Sequence, residues 1–379
     1  MTKSSDSCKV AILGGGPAGC ACALSLQMEN PQDVILVDAE PAMPFRIGET
    51  VPPEINEALR KLGIYHEFSQ EGHLPCYGSV SYWGSPKRGY NDFILSPYGH
   101  GWHLDRSAFN RFMVKQVEKK GHRVLGQTTY KAARRSESNS WDLHLVDNMG
   151  KMITLNASVV VDATGQRASF ATQQGRKKLE DQGLICTVTR FDMSLKNQEV
   201  SKTTHLEAFR HGWFYATPLP DKVFLLALFT DVETVKRGGL HYQDGWMQML
   251  EKTEHTKLLI KGMHAMDSRP LGFAAPSYHL DVPYGKGWLA IGDSAAAYDP
   301  ITSGGILKAL SDGMRSASAI HKFFGQGENF SNYGAECERR NNEYLERRET
   351  YYHAENRWNR GGFWKKMQDA THTFRPQSI

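Results

Sequence analysis

A glycine-rich turn near the N-terminus has the residue types and spacing of a phosphate-binding loop. Residues 14–19 read Gly-Gly-Gly-Pro-Ala-Gly, satisfy the pattern G-x-G-x-x-G and follow the apolar run Val10–Leu13. Gly14 permits a tight turn, Gly16 lets a pyrophosphate approach the backbone, and Gly19 lets the following helix pack closely on the strand. Free N–H groups at the start of that helix favour phosphate. The segment predicts a dinucleotide site.

A carboxylate follows at the end of the next apolar run. Val34–Val37 reads as a second buried strand and ends in Asp38, about 20 residues beyond the glycine motif, where an acid can bind both ribose hydroxyls. Its charge disfavours a 2′-phosphate. The order of strand, turn, helix, strand and acid favours dinucleotide binding over the alternative, a glycine-rich turn without a ligand.

Three later segments resemble those of FAD-dependent hydroxylases and their halogenase relatives. Gly287–Asp293 (GWLAIGD) is a strand ending in Gly-Asp, Asp299–Ile306 (DPITSGGI) opens a helix, and Val159–Gly165 (VVVDATG) is a strand followed by a turn. In that family the aspartate holds the ribityl chain and the helix points its N-terminus at the flavin ring. A positive helix end there would stabilise the negative charge of reduced flavin. The resemblance therefore implies FAD rather than NAD.

One arginine completes the implied cofactor site. Arg106, in Leu104–Phe109, matches the arginine that this family places near the FAD phosphates; the alternative is an exposed cation at a helix start. The resemblance covers most of the chain. It implies that FAD is bound by Gly14, Gly16, Pro17, Ala18, Gly19, Asp38, Arg46, Arg106, Asp162, Gly292, Asp293, Pro300, Gly304, Gly305 and Ile306.

The FAD segments are far apart in sequence, so the cofactor domain must be discontinuous. The expected fold is α/β, with a Rossmann-type FAD-binding domain, a β-sheet substrate domain and a helical C-terminal tail, as in class A flavoprotein hydroxylases. Alternating apolar runs predict the strands of the second domain. The tail is either an amphipathic helical segment packed on the body or a partner-contacting surface. The predicted boundaries are 1–75, 100–180 and 275–325 for the FAD domain, 76–99 and 181–274 for the substrate domain, and 326–379 for the tail.

Two segments resemble those of flavin-dependent halogenases. Arg46–Pro53 (RIGETVPP) is similar to their Gly-Glu loop, which lies over the flavin. His211–Leu219 (HGWFYATPL) is similar to their Trp-x-Trp-x-Ile-Pro signature, but Tyr215 replaces the second Trp and Thr217 replaces Ile.

Halogenases also need a lysine to carry oxidised halide. The nearest candidates are Lys61, on the helix after the Gly-Glu loop, and Lys87, in a loop rich in Gly and Pro. Neither lies where the family pattern needs it. Halogenation is therefore disfavoured.

Other segments resemble the LodB/GoxB-like flavoproteins, which mature quinone-containing lysine and glycine oxidases. They are Gly72–Ser85, His100–Arg106, Tyr351, Arg357–Trp358 and Phe363–Trp364. The resemblance implies an FAD-dependent monooxygenase that hydroxylates a tryptophan side chain of an oxidase precursor, a step toward cysteine tryptophylquinone. It implies O2 and a protein substrate as partners. Electrons come either from NAD(P)H docking transiently or from a separate reductase or the partner.

Hydroxylation of an aromatic ring also needs a general acid or base. By resemblance to neighbouring positions, the candidates are Glu49, His73 and His103; Glu49 could instead be a helix-start carboxylate interacting with the helix dipole. His100 and His103 are close in sequence, but no Cys or carboxylate pattern completes a metal site, so no metal is predicted.

Charge, hydropathy and cysteine content argue against nucleic-acid-binding, membrane-spanning and secreted proteins. The net charge of +4 over 379 residues is too small for a dedicated nucleic-acid surface. No apolar run approaches the ~20 residues that cross a bilayer, and the polar N-terminus leaves no room for a secretory signal. Six scattered cysteines suit free thiols in a reducing compartment. The expectation is a cytoplasmic protein with no membrane partner.

Three rival functions stay open at this point. A small-molecule aromatic hydroxylase or halogenase would act on free indoles or phenols without a partner protein. A non-enzymatic flavoprotein chaperone would hold an oxidase precursor while another protein oxidises it. A lipid reductase would share the Gly-Glu loop but need a long apolar tunnel, and the segments rich in Trp and His argue against it.

Overall fold

A computed structural model describes residues 6–26, 28–39, 45, 47–180, 183–194 and 200–370. The strands are β1 (Asp6–Leu13), β2 (Val34–Val37), β3 (Thr50–Val51), β4 (Leu74–Cys76), β5 (Gly78–Tyr82), β6 (Gly89–Asp92), β7 (Gly101–His103), β8 (Arg123–Leu125), β9 (Thr129–Arg135), β10 (Trp141–Val146), β11 (Met152–Asp162), β12 (Lys178–Glu180), β13 (Leu184–Asp192), β14 (Thr204–Phe209), β15 (Gly212–Leu219), β16 (Val223–Asp231), β17 (His264–Ala265), β18 (Leu271–Ala275), β19 (Tyr278–Leu280), β20 (Tyr284–Gly285), β21 (Trp288–Ala290) and β22 (Ala296–Ala297).

The helices include two long ones near the C-terminus. The α-helices are α1 (Pro17–Ser25), α2 (Glu54–Lys61), α3 (Tyr65–Phe68), α4 (Arg106–Lys119), α5 (Ser169–Gln173), α6 (Val232–Gly238), α7 (Gln243–Leu250), α8 (Thr256–Leu259), α9 (Gly305–Gln326), α10 (Ser331–Ala354) and α11 (Gly362–Ala370). Short 3-10 helices cover Pro31–Asp33, Gly165–Arg167, Gly292–Ser294 and Pro300–Thr302.

The first large sheet has a parallel centre in the order β21-β11-β1-β2-β8, with β20 antiparallel at one edge and the β9–β10 hairpin on β11. Strands far apart in sequence are thus neighbours. Because parallel strands end at the same edge, Leu13, Val37, Asp162 and Ala290 finish together. Ligands of such sheets bind outside the carboxyl ends of the strands.

The second large sheet runs β17-β13-β16-β15-β14-β5-β6, with β18 also paired to β13. Its pairs are antiparallel except β14 with β5. Both faces of its central strands β13, β15 and β16 are largely apolar and covered. One face packs against α11 through Phe363 and Trp364, and the other packs against α7 through Trp246 and Leu250. A sheet buried on both sides is a rigid platform for side chains that project from it.

Two three-stranded sheets complete the fold. One, β3-β7-β4, joins the Gly-Glu loop to the segment before α4; the other is β12-β19-β22. In the described part of the chain, no helix has both the length and the apolar character to span a membrane. All six cysteines are free thiols.

Helices α1 and α9 pack face to face, and a glycine sets their separation. A Cβ atom on Gly313 would lie 2.5 Å from the carbonyl oxygen of Ala18 and 2.6 Å from the amide nitrogen of Cys22. Both neighbours are backbone atoms, which cannot rotate away. The two helices can therefore lie side by side only because residue 313 lacks a side chain.

Gly313→Ala should lower the free energy of unfolding by about 1–3 kcal/mol, because the added methyl forces α1 and α9 apart. Gly325→Ala, in the same helix, is the matched control, since no atom lies within 4 Å of its added Cβ. That change should be neutral or stabilise by roughly 0.4–1 kcal/mol. Urea unfolding of the three proteins makes the comparison. Equal stability of the two variants would contradict the packing argument.

Candidate active site

The glycine turn has the geometry that a bound pyrophosphate needs. Gly14 has φ +125°, and a Cβ there would lie 2.2 Å from the Ala163 carbonyl oxygen. A Cβ on Gly19 would lie 2.0 Å from the Gly14 carbonyl oxygen, so the helix can start this close to the strand only with glycine. At Gly16, the N-cap of α1, no atom lies within 4 Å of an added Cβ. Open space therefore faces the N-terminus of α1, where Pro17 is the first residue.

Asp38 lies directly beside this turn. Its Oδ1 accepts a hydrogen bond from the Gly15 amide at 3.3 Å, and its own amide donates to the Leu125 carbonyl oxygen at 2.9 Å. The carboxylate thus stands next to the space in front of Gly16. A ribose attached to a phosphate in that space would meet this acid.

The turn that follows β21 packs against the glycine turn at 14–19 through Gly292. This residue has φ +58°, and a Cβ there would lie 2.7 Å from the Ala18 Cβ. Lys308, in the first turn of α9, donates from Nζ to the Gly292 carbonyl oxygen at 2.9 Å. The predicted turn around Gly16 and the predicted loop before Gly305 are therefore brought together.

Asp293 follows at this junction. Burial raises the pKa of its carboxyl, although Lys308 and Arg106 lower it. The two cations therefore lie close enough to act on this carboxylate. Sequence reasoning missed Lys308. Its position three residues after Gly305, in the first turn of the helix that is predicted to point at the flavin, is the signal that could have found it.

The segment before α9 forms a tight turn. Pro300–Thr302 forms a 3-10 helix, Ser303 takes the left-handed conformation with φ +49°, and Gly304 is the N-cap of α9. No atom lies within 4 Å of a Cβ added to Gly305, and Ile306 is buried. The N-terminus of a 22-residue helix therefore opens onto free space at this edge.

Asp162 and Arg106 make contacts within the protein. Asp162 Oδ1 accepts from the Thr164 hydroxyl at 2.7 Å and its Oδ2 from the Ala171 amide at 2.8 Å, so it shapes the turn beside Gly14. Arg106, the first residue of α4, donates from Nη1 to the Gly48 carbonyl oxygen at 3.0 Å and so holds the Gly-Glu loop. Direct contact of either with a cofactor stays a prediction. Arg46 lies outside the described residues.

Glu49, in the Gly-Glu loop, is a buried carboxyl group with a raised pKa. Its side chain is 3% exposed, and its Oε1 has no hydrogen-bond partner among the described residues. Burial raises the pKa of the Glu49 carboxyl to about 7, although its own amide and the Arg106 guanidinium oppose the shift. A group with a pKa near neutrality can both donate and accept a proton.

His103 belongs to a buried cluster of hydroxyl groups. Its Nδ1 lies 2.7 Å from the Thr217 hydroxyl and 3.0 Å from the Thr50 hydroxyl. Thr50 Oγ1 also lies 2.6 Å from the Tyr215 hydroxyl and 3.1 Å from that of Thr204. Burial lowers the pKa of the His103 imidazole to about 4, against a smaller effect of the Lys202 carbonyl. His103 is therefore neutral at physiological pH.

The residues of this hydroxyl cluster, apart from His103, were not predicted from the sequence. Tyr215 and Thr217 project from the same face of β15, because alternate strand residues share a face. They are the two positions at which the chain departs from the Trp-x-Trp-x-Ile-Pro signature. That departure, a hydroxyl at both positions, was the signal for a polar cluster.

His73 supports the start of α4. Its Nδ1 accepts from the Asp105 amide at 3.2 Å, and its ring packs between Phe68 and Phe109. Burial lowers the pKa of the His73 imidazole to about 4, against the opposing charge of Asp105. Of the three predicted acid–base candidates, Glu49 alone has a pKa in the neutral range; a catalytic role for any of them stays a prediction.

The lysines considered for halide transfer lie on the surface. Lys61 Nζ is 3.7 Å from the Glu57 carboxylate in the same helix, with its side chain 63% exposed. Lys87 is exposed in the turn between β5 and β6. Over the described ranges, no three His, Cys, Asp or Glu side chains group as metal ligands would.

Comparison with known proteins identifies relatives along almost the whole chain. The sequence profile described as tryptophan halogenase matches residues 9–97 and 87–378. The FAD-dependent oxidoreductase LodB of Marinomonas mediterranea is 26% identical over 358 residues, which cover 94% of this chain and 95% of that protein. The chain covers less of several flavin-dependent halogenases that it matches, 61% to 66% of their length.

Solved structures share the fold. The myxobacterial chondrochloren halogenase CndH superposes with a TM-score of 0.85 at 20% identity, covering 96% of this chain and 86% of that one. QhpG, a peptidyl tryptophan dihydroxylase essential for tryptophylquinone cofactor biogenesis, superposes with a TM-score of 0.76 at 18% identity, covering 96% and 79%. At these identities the likeness establishes the fold alone.

The buried Glu49 carboxyl should make the stability of the cofactor-free protein depend on pH. Its pKa rises from 4.5 to about 7 on folding, so its stabilising contribution is complete below about pH 4.5 and is lost as the pH passes 7. Relative to Glu49→Gln, the wild-type free energy of unfolding should fall by roughly 3 kcal/mol between about pH 4 and about pH 8. Urea unfolding of both proteins across this range measures the difference. Parallel profiles would show that Glu49 does not titrate there.

Proposed function

The chain belongs to the tryptophan halogenase family, and we propose that it is an FAD-dependent monooxygenase. Its proposed reaction is the hydroxylation of a tryptophan side chain within a partner protein. Family membership confirms the predicted α/β flavoprotein fold, FAD as the cofactor and the oxidoreductase class. The partner proposed is the precursor of a quinone-dependent amino-acid oxidase. The hydroxylation would be a step in forming its tryptophylquinone cofactor.

The match to LodB carries this proposal. This chain and LodB align over nearly their full lengths, whereas several halogenases extend well beyond the aligned part. The neighbour QhpG acts on a peptidyl tryptophan, which makes a protein-bound ring the appropriate substrate class. The exposed positions of Lys61 and Lys87 argue against halide transfer, for which a lysine must sit beside the substrate.

The residues at the cofactor edge fit FAD. The open space at Gly16 and the N-terminus of α1 would hold the pyrophosphate, Asp38 the ribose and Asp293 the ribityl chain. Gly305, at the start of α9, would lie against the flavin ring. When bound, FAD supplies the oxygen-transfer chemistry, and the protein supplies position, electrostatics and exclusion of water.

Glu49 would accept the proton that the aromatic ring loses on hydroxylation. An aromatic carbon that gains an oxygen must lose its hydrogen as a proton while the electron pair of the C–H bond returns to the ring, and a buried carboxylate with a free oxygen can accept that proton. Arg106 holds the loop that carries Glu49, and the Leu104 amide donates to the Glu49 carbonyl oxygen at 2.7 Å. The backbone around Glu49 is thus held from two sides, as an acid–base group requires.

The surface supports a protein substrate. Large apolar side chains are exposed along one segment between β4 and β7, including Ile94 at 83% and Leu95 at 90%. The same segment contains Tyr77, Tyr90 and Tyr98, which are also exposed. Exposed apolar patches are typical of protein contact sites. The segment continues into β7, which carries His103 of the buried hydroxyl cluster.

The test is co-expression with the precursor of a quinone-dependent amino-acid oxidase from the same source, followed by mass spectrometry. In a purified system, precursor, FAD-loaded enzyme and either NAD(P)H alone or NAD(P)H with a flavin reductase should add oxygen from labelled O2 to one tryptophan of the precursor. Added halogen, or turnover of free tryptophan or indole without a partner, would overturn the proposal in favour of a halogenase or a small-molecule hydroxylase. Maturation that proceeds with a flavin analogue unable to react with oxygen would identify a chaperone.

Charges placed on the exposed apolar segment should weaken recognition of the protein substrate. Ile94→Glu with Leu95→Glu should lower precursor modification at least tenfold, because burying a carboxylate at an apolar contact is costly. FAD content should not change. Met149→Glu is the matched control, since Met149 is 84% exposed on the turn between β10 and β11. Modification at the wild-type rate by the double variant would remove this segment from the docking surface.

A further inference from the structure

One face of helix α10 converges on the loop that precedes α9. Tyr344, Arg348 and Tyr352 are spaced four residues apart, so their side chains lie in one row along the helix. All three contact Asp299, the first residue of the DPITSGGI segment. Together these three side chains form the α10 row.

The contacts of the α10 row with Asp299 are direct and buried. Arg348 donates from Nε to Asp299 Oδ2 at 3.2 Å, and the Tyr352 hydroxyl donates to the same oxygen at 2.8 Å. The Asp299 amide donates to the Tyr344 hydroxyl at 2.8 Å. The side chains of the Arg348–Asp299 pair are 1% and 2% exposed. Water therefore does not screen this ion pair.

Asp299, held by the α10 row, also forms hydrogen bonds within the turn that follows it. Its Oδ1 accepts from the Ile301 amide at 3.0 Å, and its carbonyl oxygen accepts from the Thr302 hydroxyl at 3.0 Å. These bonds shape the 3-10 turn that leads through Ser303, with its left-handed backbone, to the N-cap Gly304. The conformation of Asp299 thus determines where α9 begins.

A second contact holds the residue before Asp299. The rings of Tyr298 and Tyr344 stack with centroids 3.8 Å apart and planes 2° from parallel. The Tyr344 hydroxyl also lies 2.7 Å from the Ser277 hydroxyl. The loop is therefore held on both sides of its first peptide by α10, a helix that lies outside the predicted cofactor domain.

We propose that Arg348, supported by Tyr344 and Tyr352, is a positioning residue for FAD, which holds the 299–304 loop in the shape that presents Gly305 and the start of α9 to the flavin. A buried carboxylate deprived of its cation is strongly unfavourable, so the loop would rearrange to reach water if Arg348 were lost. The C-terminal helix then acts as part of the cofactor site. This inference rests on FAD as the cofactor and does not depend on the proposed protein substrate.

The test is to titrate cofactor-free protein with FAD and to measure the Kd from the quenching of flavin fluorescence. The visible absorption spectrum of the bound flavin is a second readout. Arg348→Met should raise the Kd for FAD at least tenfold and shift the flavin absorption bands. Arg347→Met is the matched control, because Arg347 is the neighbouring, exposed arginine of the same helix. It should bind FAD like the wild type. Far-UV circular dichroism at the assay temperature establishes that each variant is folded.

If Arg348→Met does not fold, variants that remove a single hydroxyl group test the role of the α10 row in FAD binding. Tyr352→Phe removes one hydroxyl from Asp299 and keeps the ring, and should raise the Kd for FAD about threefold or more. Tyr351→Phe, whose side chain is 43% exposed, is its control and should not change the Kd. Folded Arg348→Met or Tyr352→Phe protein with the wild-type Kd and flavin spectrum would overturn the proposal. A general loss of stability without a change in either readout would assign the α10 row a structural role only.

Discussion

The contact between the Gly292 loop and Ala18 is the constraint on which the rest of the site depends. The cofactor edge needs two helix N-termini in one place, although their residues are nearly 300 positions apart. Only a glycine at 292 lets the second loop approach α1 this closely, and only a glycine at 313 lets α9 continue along α1. Lys308 then bonds across the junction to the Gly292 carbonyl oxygen. The absence of a side chain at 292 and 313 permits this approach, and the hydrogen bond from Lys308 stabilises it.

Burial determines which groups near the site can exchange protons. Glu49, His73 and His103 are all buried, yet burial acts on them in opposite directions, because it disfavours the charged form of each. The carboxyl of Glu49 therefore titrates near neutral pH, while both imidazoles stay uncharged. His103 uses its ring nitrogen within the hydroxyl cluster, which fills a polar space between the β3-β7-β4 sheet and the second large sheet.

The C-terminal helices are integral to the body of the protein. Trp364 of α11 is buried against the second sheet and donates to the Phe209 carbonyl oxygen at 2.8 Å. The α10 row reaches the loop before α9 and contributes a buried ion pair. Of the two readings of the tail, the described part matches the one in which it packs on the body. Its buried polar contacts reach the loop before α9 through the α10 row and the second large sheet through Trp364.

The sequence by itself determined the features that depend on local backbone requirements. The glycine turn at 14–19 and Asp38 at the end of a strand are recognisable within a few residues, because the turn, the helix start and the acid are set by neighbours in the chain. The Gly-Asp pair at 292–293 and the loop opening α9 were recognised by their resemblance to the family. Family resemblance added the cofactor and the enzyme class, and the comparisons confirmed both. Glu49 could be named as a candidate, but not ranked above the two histidines.

The pairing of distant polar side chains, in contrast, is visible only in the folded chain. Thr50 meets Tyr215 across 165 residues, and Arg348 meets Asp299 across 49. Neither partner carries a local signal of the other, since a threonine or an arginine in isolation suits a solvated surface equally well. Desolvation, which separates Glu49 from the histidines, is likewise a property of the packed molecule. Sequence patterns can mark positions at which backbone geometry is demanding; burial and long-range pairing exist only once the chain has folded.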